Sequence, residues 1–422
     1  MTVASPKETR GAAFALYRSP LVSVTMAGTF FLKMVSFLCI PFMTIYLSEN
    51  VDVPPYVIGV IVGLSQIGSL GAGFFSGVLS DRVGKRLVLL VGLFGSAAIF
   101  LLFFLVATFL KGTAAFPVLF GVLNAGYGVM SAFFWPVTQV LMADSLPKEH
   151  RPAVFRHRYV LTNCAVAVGP PAGVLLGLAS AGAAFVVSGL AYLVFALAFW
   201  WITRGRAFEH AGGPSERPTF TGALKVLATD RIFLGLTVSM ILFALAYCQI
   251  GSNLSVLVSE EFSDGVRFFS LLLAVNAVGV IVLQPLATAI AKQLSSRRTI
   301  LFGNALFAAV CLIFGFLDLG KAGLVALVVV ISLAEVLVVP TVSIVVDELA
   351  PADLRGTYFG ASTLRNLGMG VGPAAGGLVL GVCGNPALFF FMGLCGLAAL
   401  AVVHLTLREN SVADTGASPE PV

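Results

Sequence analysis

The sequence predicts an all-α polytopic membrane protein whose twelve transmembrane helices form two pseudo-symmetric six-helix bundles. Three observations carry that expectation: a composition too apolar for a water-facing surface, twelve apolar runs of spanning length, and landmarks that recur at half the chain length. Of 422 residues only 11% are charged, against about 25% in ordinary soluble proteins. Hydrophobic residues make up 58%, Phe alone occurs 35 times, and mean hydropathy is +1.00. So few charges cannot cover a soluble surface. Disorder, coiled coil and a secreted disulfide scaffold are excluded by the same numbers. The six cysteines (Cys39, Cys164, Cys248, Cys311, Cys383 and Cys395) lie in or beside apolar runs without paired spacing, as expected of small buried hydrophobes.

A helix crossing the ~30 Å hydrocarbon core needs about 20 mostly apolar residues. Runs of that kind cover approximately 21–47, 54–79, 87–110, 114–143, 158–179, 182–203, 232–258, 267–291, 299–318, 322–346, 356–382 and 385–407. The gaps after spans 5 and 11 are so short that each flanking pair is expected to form a tight helical hairpin. The first span has eleven more behind it and no small-residue cleavage site, so it reads as a retained helix. Around the spans, residues 1–20 form an N-terminal segment, 204–231 a polar linker between the bundles 21–203 and 232–407, and 408–422 a disordered tail. Within the linker, Phe220–Leu227 has the pattern of a surface-lying amphipathic stretch.

Lysine and arginine resist translocation, and their distribution sets direction. With the N-terminus placed in the cytoplasm, inside segments carry 20 of the 25 Lys and Arg; outside segments carry Lys111, Arg267 and Lys321, and Lys33 and Arg365 fall within spans. Both termini are therefore expected in the cytoplasm, and the bilayer is expected to be a bacterial cytoplasmic (inner) membrane.

An internal repeat matches the six-plus-six division. Pro136, Asp144, Pro147, Arg151, Asn163 and Gly169-Pro170 run from span 4 into span 5. Pro340, Asp347, Pro351, Arg355, Asn366 and Gly372-Pro373 follow at a constant offset of 203 or 204. Six spans per repeat give both halves one orientation about an axis along the membrane normal, which is a transporter architecture.

The loop between spans 2 and 3 reads Gly77-Val78-Leu79-Ser80-Asp81-Arg82-Val83-Gly84-Lys85-Arg86. It resembles the G-x-L-x-D-R-x-G-[RK]-[RK] signature of the major facilitator superfamily, at the loop where that family carries it and in a chain with its span count and repeat. Gly77 permits close helix packing and Gly84 a tight turn. The resemblance implies that Asp81 meets the start of span 11 near Gly356 and latches one state of a transport cycle, with Lys85 and Asp144 in the same charge network. The alternative for this loop is a solvated positive-inside segment without a gating role.

Span 5 carries Gly169-Pro170-Pro171-Ala172-Gly173, similar to the G-P-x-x-G-G element of the twelve-helix drug:proton antiporter branch. Val174 and Ala165 depart from that pattern, while span 11 has a fuller copy in Gly368, Gly372-Pro373 and Gly376-Gly377. Small residues at four-residue spacing and a kinking proline also serve packing alone, and both readings stand. A second departure concerns the branch's Arg in an R-x-x-x-G pattern: alignment on Gly128 puts Asn124 there, and an amide cannot exchange charge with protons. The second-half counterpart of the loop signature, with Lys292, Arg297 and Arg298, contains no acid.

Ionisable groups at membrane depth are costly, so they face a cavity or a partner. Lys33 lies mid-span 1 and Glu335 mid-span 10. Arg365, about 14 Å into span 11 at 1.5 Å per residue, either faces the path or snorkels to the interface. Glu335 is read as the titrating group of proton exchange, with a purely structural Lys33–Glu335 pair as the competing account. Asn124, Trp135, Gln139, Asn163, Tyr247, Gln249, Asn253, Asn276 and Asn366 are the uncharged candidates for the path, each also able to serve as an interhelical tie. Scattered polar points among Phe and Met suit an amphipathic or lipophilic solute better than a sugar.

The chain holds no H-E-x-x-H, no paired cysteine ligands and no G-x-x-x-x-G-K-[ST], so no enzyme, metal or nucleotide chemistry is expected. Nor does it show a channel filter or ring of like charges. The expected function is efflux of a drug-like compound or metabolite by proton antiport, of the multidrug-resistance kind. The proton gradient supplies the energy, no cofactor or nucleic acid takes part, and the chain acts as a monomer. An importer or uniporter, a transport-like sensor and a lipid translocator are the alternatives.

Overall fold

The computed structural model describes residues 19–40, 43–51, 55–175, 182–205, 220–317 and 320–407. Among these residues all regular structure is helical. The helices are α1 (Pro20–Ser36), α2 (Met43–Asn50), α3 (Pro55–Val83), α4 (Lys85–Phe109), α5 (Ala115–Asp144), α6 (Arg151–Leu175), α7 (Ala183–Ile202) and α8 (Phe220–Thr229). They continue as α9 (Arg231–Tyr247), α10 (Asn253–Glu261), α11 (Gly265–Gln293), α12 (Ser296–Phe316), α13 (Gly320–Leu349), α14 (Arg355–Ala361), α15 (Asn366–Cys383) and α16 (Asn385–Thr406). The N-terminal segment before residue 19, half of the linker (206–219), the tail and part of the first expected hairpin lie outside the described residues.

Every expected span coincides with helix, and ten are long and apolar enough to cross a membrane by length and composition, among the described residues. The other two are the first, where α1 has 17 residues, and the fifth, where α6 opens on Arg151, Arg156 and Arg158. Large apolar side chains such as Phe109, Val194, Trp201, Val282, Phe316 and Leu394 point outward, the reverse of a soluble surface and the arrangement a hydrocarbon solvent favours.

Three spans expected as continuous helices are interrupted. The first breaks after Ser36, where the Ser36 hydroxyl donates to the Leu32 carbonyl at 2.8 Å. The seventh tightens into a 3-10 turn at Cys248–Ile250, just before Gly251, and Ser252 donates its hydroxyl to the Cys248 carbonyl at 2.9 Å. The eleventh does so at Ser362–Arg365, where Ser362 and Thr363 give their hydroxyls to the carbonyls of Phe359 and Gly360, each at 2.7 Å. Side chains that compete for backbone acceptors loosen a helix in this way, and hydropathy does not register them.

Contacts divide the chain into two units, residues 1–223 with 351–363, and residues 224–350 with 364–422. In the first, α3 packs on α5, α4 on α5 and α7, and α1 on α6. In the second, α11 packs on α13, α12 on α13 and α16, and α9 on α15. These are the same pairings displaced by half the chain. The repeated sequence landmarks thus have a repeated tertiary counterpart. The segment 351–363, including α14, belongs to the first unit, where α14 lies against α3 and α5.

The first unit's core is aromatic. Phe100, Phe103, Phe116, Phe120, Phe199 and Tyr192 are almost fully buried. A chain of rings joins all of these but Phe199, with Phe103 4.9 Å from Phe120 and Phe116 4.7 Å from Phe120, centroid to centroid. Aromatic pairs at this separation add specific attraction beyond area burial, which fixes the helices that carry the sites described next.

Candidate functional site

The signature loop forms a compact site in the first unit. Gly84 has φ +97°, a backbone conformation that a side chain would strain, and it turns the chain from α3 directly into α4. On the preceding turn Asp81 accepts three hydrogen bonds from α14, from the Gly356 amide (2.8 Å), the Thr357 amide (2.7 Å) and the Thr357 hydroxyl (2.9 Å). One turn away Lys85 and Arg355 both pair with Asp144. Two anions and two cations thus neutralise one another, and Lys85 and Arg355 are more than nine-tenths buried. Arg86 donates to the Thr203 hydroxyl at 3.0 Å, tying α4 to the end of α7. Arg82 lies 5.4 Å from the Phe220 ring of α8, and that ring stacks on Phe75 at 5.1 Å.

This approach is possible because the crossing is made of glycine. A Cβ on Gly77 would overlap the Gly356 carbonyl oxygen, and a Cβ on Gly360 would overlap the Gly73 oxygen. Gly73, Gly77, Gly356 and Gly360 therefore form a two-sided small-residue contact. The four-residue spacing of each pair is present in the sequence, and it could have identified Gly73 and Gly360, which motif reading missed. Gly77→Val is expected to push α14 off α3 and break the Asp81 contacts. Transport should fall by about fivefold or more, given that overpacking of this kind costs about 1–3 kcal/mol. Transport rate per membrane-inserted molecule is the measurement.

A second group in the first unit surrounds Trp135. The Lys33 ammonium lies 4.8 Å from the Phe37 ring and 5.3 Å from the Trp135 ring. The Arg158 guanidinium lies 6.0 Å from the same indole and donates to the Trp135 carbonyl at 3.3 Å. Gln139, one turn along α5, and Asn163 on α6 are half-buried; the Asn163 amide donates to the Tyr159 carbonyl of its own helix at 3.0 Å. Deeper, Ser36 links the hydroxyls of Tyr192 (2.8 Å) and Tyr127 (3.2 Å), a network not anticipated from sequence. Asn124 stands apart. It is 2% exposed and gives its amide to the carbonyls of Ile61 (2.8 Å) and Val62 (2.7 Å), so it ties α5 to α3. Asn124→Leu should therefore destabilise the protein by roughly 1–3 kcal/mol by removing both hydrogen bonds that tie α5 to α3. A thermal-shift assay reads this as a lower Tm, with the preference among solutes unchanged.

The second unit gathers Tyr247, Asn276, Ser332 and Glu335. Glu335 is 5% exposed and accepts a hydrogen bond from the Asn276 amide at 3.2 Å. The same amide donates to the Ser332 hydroxyl at 3.0 Å, and Tyr247 donates to the Asn276 oxygen at 3.4 Å. Beside this group Gln249 donates to the carbonyls of Leu245 and Gly372, both at 2.8 Å, and Asn253 donates to Pro373 at 2.9 Å. Gly368, Gly372 and Gly376 form the buried stripe of α15, with Gly377 beside Asn253. In the first unit Gly169 lies against Phe37 and Met34, and Gly173, after Pro170, is buried. Gln249 and Asn253 tie their segment to backbone carbonyls of the proline-bearing helix α15. Arg365 is exposed at the 3-10 turn and Asn366 is half-buried at the start of α15. Away from these groups, Lys321 pairs with Asp264 and holds its carboxyl below the usual range through that hydrogen bond.

The sequence profile described as Major Facilitator Superfamily matches residues 25–364 and 250–421. The MFS-type transporter YqjV of Bacillus subtilis is 26% identical over 93% of this chain and 94% of its own length. A protein named Na(+), Li(+), K(+)/H(+) antiporter from Planococcus maritimus is 26% identical over 82% of this chain and 85% of its own. Multidrug resistance protein MdtH of Edwardsiella ictaluri is 25% identical, covering 87% and 89%. Among solved structures, the transporter FucP in an outward conformation superposes with a TM-score of 0.76 at 15% identity, over 93% of this chain and all of that one, a likeness of fold.

Proposed function

Since the chain belongs to the major facilitator superfamily and is a multi-pass membrane transporter of small molecules rather than an enzyme, we propose that it exports an amphipathic or lipophilic solute by proton antiport. The membrane is a bacterial cytoplasmic membrane, both termini face the cytoplasm, and the chain works as a monomer. The observation that carries this reading is Glu335, a carboxylate 5% exposed in an apolar helix and held by Asn276. A carboxylate at membrane depth is a functional group by default. The names of two relatives, an alkali-cation/proton antiporter and a multidrug resistance protein, point the same way.

In the proposed cycle the proton arrives from outside on a Glu335 carboxylate oxygen and leaves to the cytoplasm, and the solute moves outward in the opposite half of the cycle. Asp81, with the amides of Gly356 and Thr357, latches the state closed toward the basic side, and Lys85, Asp144 and Arg355 brace that latch. One charge crossing 100 mV releases about 2.3 kcal/mol, enough for roughly a fifty-fold solute gradient. A single proton site therefore suffices.

The test is flux in proteoliposomes of the full chain with an imposed pH gradient, against a panel of aromatic acids, amines and neutral compounds together with sodium, lithium and potassium. Accumulation of one class against its gradient, collapsed by a protonophore, is the expected result. Flux that ignores the pH gradient means a uniporter, and binding without flux means a sensor; either outcome overturns the antiport reading.

A further inference from the structure

We propose that the second unit carries a binding site for an amphipathic ammonium compound, an apolar amine of one or two rings, in a cavity capped by Glu261 and Asn385. The site goes beyond the transport reading and does not rest on proton antiport. A cavity of about 300 Å³ opens where α10 and α12 end and α13 and α16 begin, the size at which small-molecule pockets start. Leu257, Phe314, Leu324 and Phe389 line it and are themselves buried. The rings of Phe314 and Phe389 stand 5.8 Å apart, centroid to centroid. The polar side chains of the lining are Glu261 and Asn385, the first exposed and the second half-buried, which puts them at the mouth. Along α13, Leu324 lies eleven residues before Glu335, about 16 Å at 1.5 Å per residue, so the cavity is separate from the Glu335 group.

Among the described residues Glu261 is met by a neutral group: Asn385 donates its amide to the carboxylate at 3.4 Å. Lys321, beside the cavity-lining Gly320, is engaged by Asp264 and by the rings of Phe262 and Phe268, 5.2 and 5.3 Å from its ammonium. A negative charge above a buried aromatic floor suits a positive head joined to a flat apolar body. A carboxylic acid would set like charge against Glu261, and a sugar would press hydroxyls against Phe and Leu without partners. A phospholipid would add a phosphate that needs a cation, and Lys321 already serves Asp264.

The experiment uses the purified full chain and tritiated 1-naphthylmethylammonium, with saturable binding read by scintillation proximity. The competitors are 1-naphthoate and 1-naphthalenemethanol, which share the ring and differ in charge, and phosphatidylethanolamine. The amine is expected to bind saturably and to be displaced neither by naphthoate nor by the lipid, and by the alcohol only at several-fold higher concentration. Glu261 is exposed and water screens its charge, so Glu261→Gln should weaken the amine by about fivefold. Glu260→Gln, which neutralises the exposed carboxylate beside it, should leave the affinity unchanged. Leu324→Trp fills the cavity, keeps both acids and should abolish binding; if that variant fails to fold, the two Glu→Gln variants still decide. Unchanged affinity in Glu261→Gln, an equal loss in Glu260→Gln, or displacement by naphthoate overturns the proposal. Displacement by phosphatidylethanolamine makes the cavity a lipid site and overturns it as well. Glu261-dependent binding of the amine with no pH-driven flux would sink the antiport reading and leave this site standing.

Discussion

Glu335→Gln is expected to leave the protein folded and abolish its use of a pH gradient. Gln matches the size of Glu and still presents an oxygen to Asn276, whose amide reaches the Glu335 carboxylate at 3.2 Å and the Ser332 hydroxyl at 3.0 Å. It cannot take up and release a proton. If Glu335 is the proton site, the solute gradient a vesicle sustains should drop from roughly fifty-fold at 100 mV to near unity. Exchange of labelled for unlabelled solute at equal concentrations should persist, since that half of the cycle needs no net proton movement. Tyr247→Phe, which removes only the hydroxyl donated to Asn276 at 3.4 Å, should slow the cycle and keep its coupling. Undiminished accumulation by Glu335→Gln would remove this residue from the mechanism.

Asp81→Asn carries the second large effect. The native carboxylate takes three donors from Gly356 and Thr357, and hydrogen bonds to a charged group contribute about 1.5–3 kcal/mol each. An amide keeps one acceptor oxygen and turns its NH2 toward an N–H that was satisfied before. Even with the amide oxygen toward Thr357, the Gly356 contact is lost and two N–H groups face each other. Transport should fall by about tenfold or more. A structural readout accompanies it. Ala361 on α14 is 2% exposed, so a cysteine placed there should react slowly with a maleimide, and several-fold faster once Asp81→Asn is added. Asp81→Glu should not rescue, because its extra methylene enters a crossing where Gly77 and Gly356 already leave no room for a Cβ. An unchanged labelling rate would mean that Asp81 does not hold α14.

Much of this was legible in one dimension. Spans, charge bias and repeat depend on composition and on separations along the chain. A membrane makes those local quantities decisive, since each spanning segment must meet the same hydrocarbon solvent and satisfy its own backbone. The signature loop was legible for the same reason: Gly77, Asp81, Gly84 and Lys85 lie within nine consecutive residues, and the turn at Gly84 is a local matter. Glu335 and Lys33 stood out because a charge at that depth is rare.

What hydropathy could not see were the competitors for backbone acceptors that interrupt spans 1, 7 and 11, at Ser36, Ser252, Ser362 and Thr363. Nor could it distinguish Asn124, an interhelical tie, from Asn276, the partner of a buried carboxylate; the two look alike in sequence. The partners of Asp81 lie some 275 residues away, and Arg355 meets Asp144 across 211. Hydrophobic patterning tells each helix that it must be buried in lipid or protein. Which face meets which neighbour is settled by small residues letting two backbones touch, as at Gly77 and Gly356, and by the pairing of the few charges that cannot be left alone in a low dielectric.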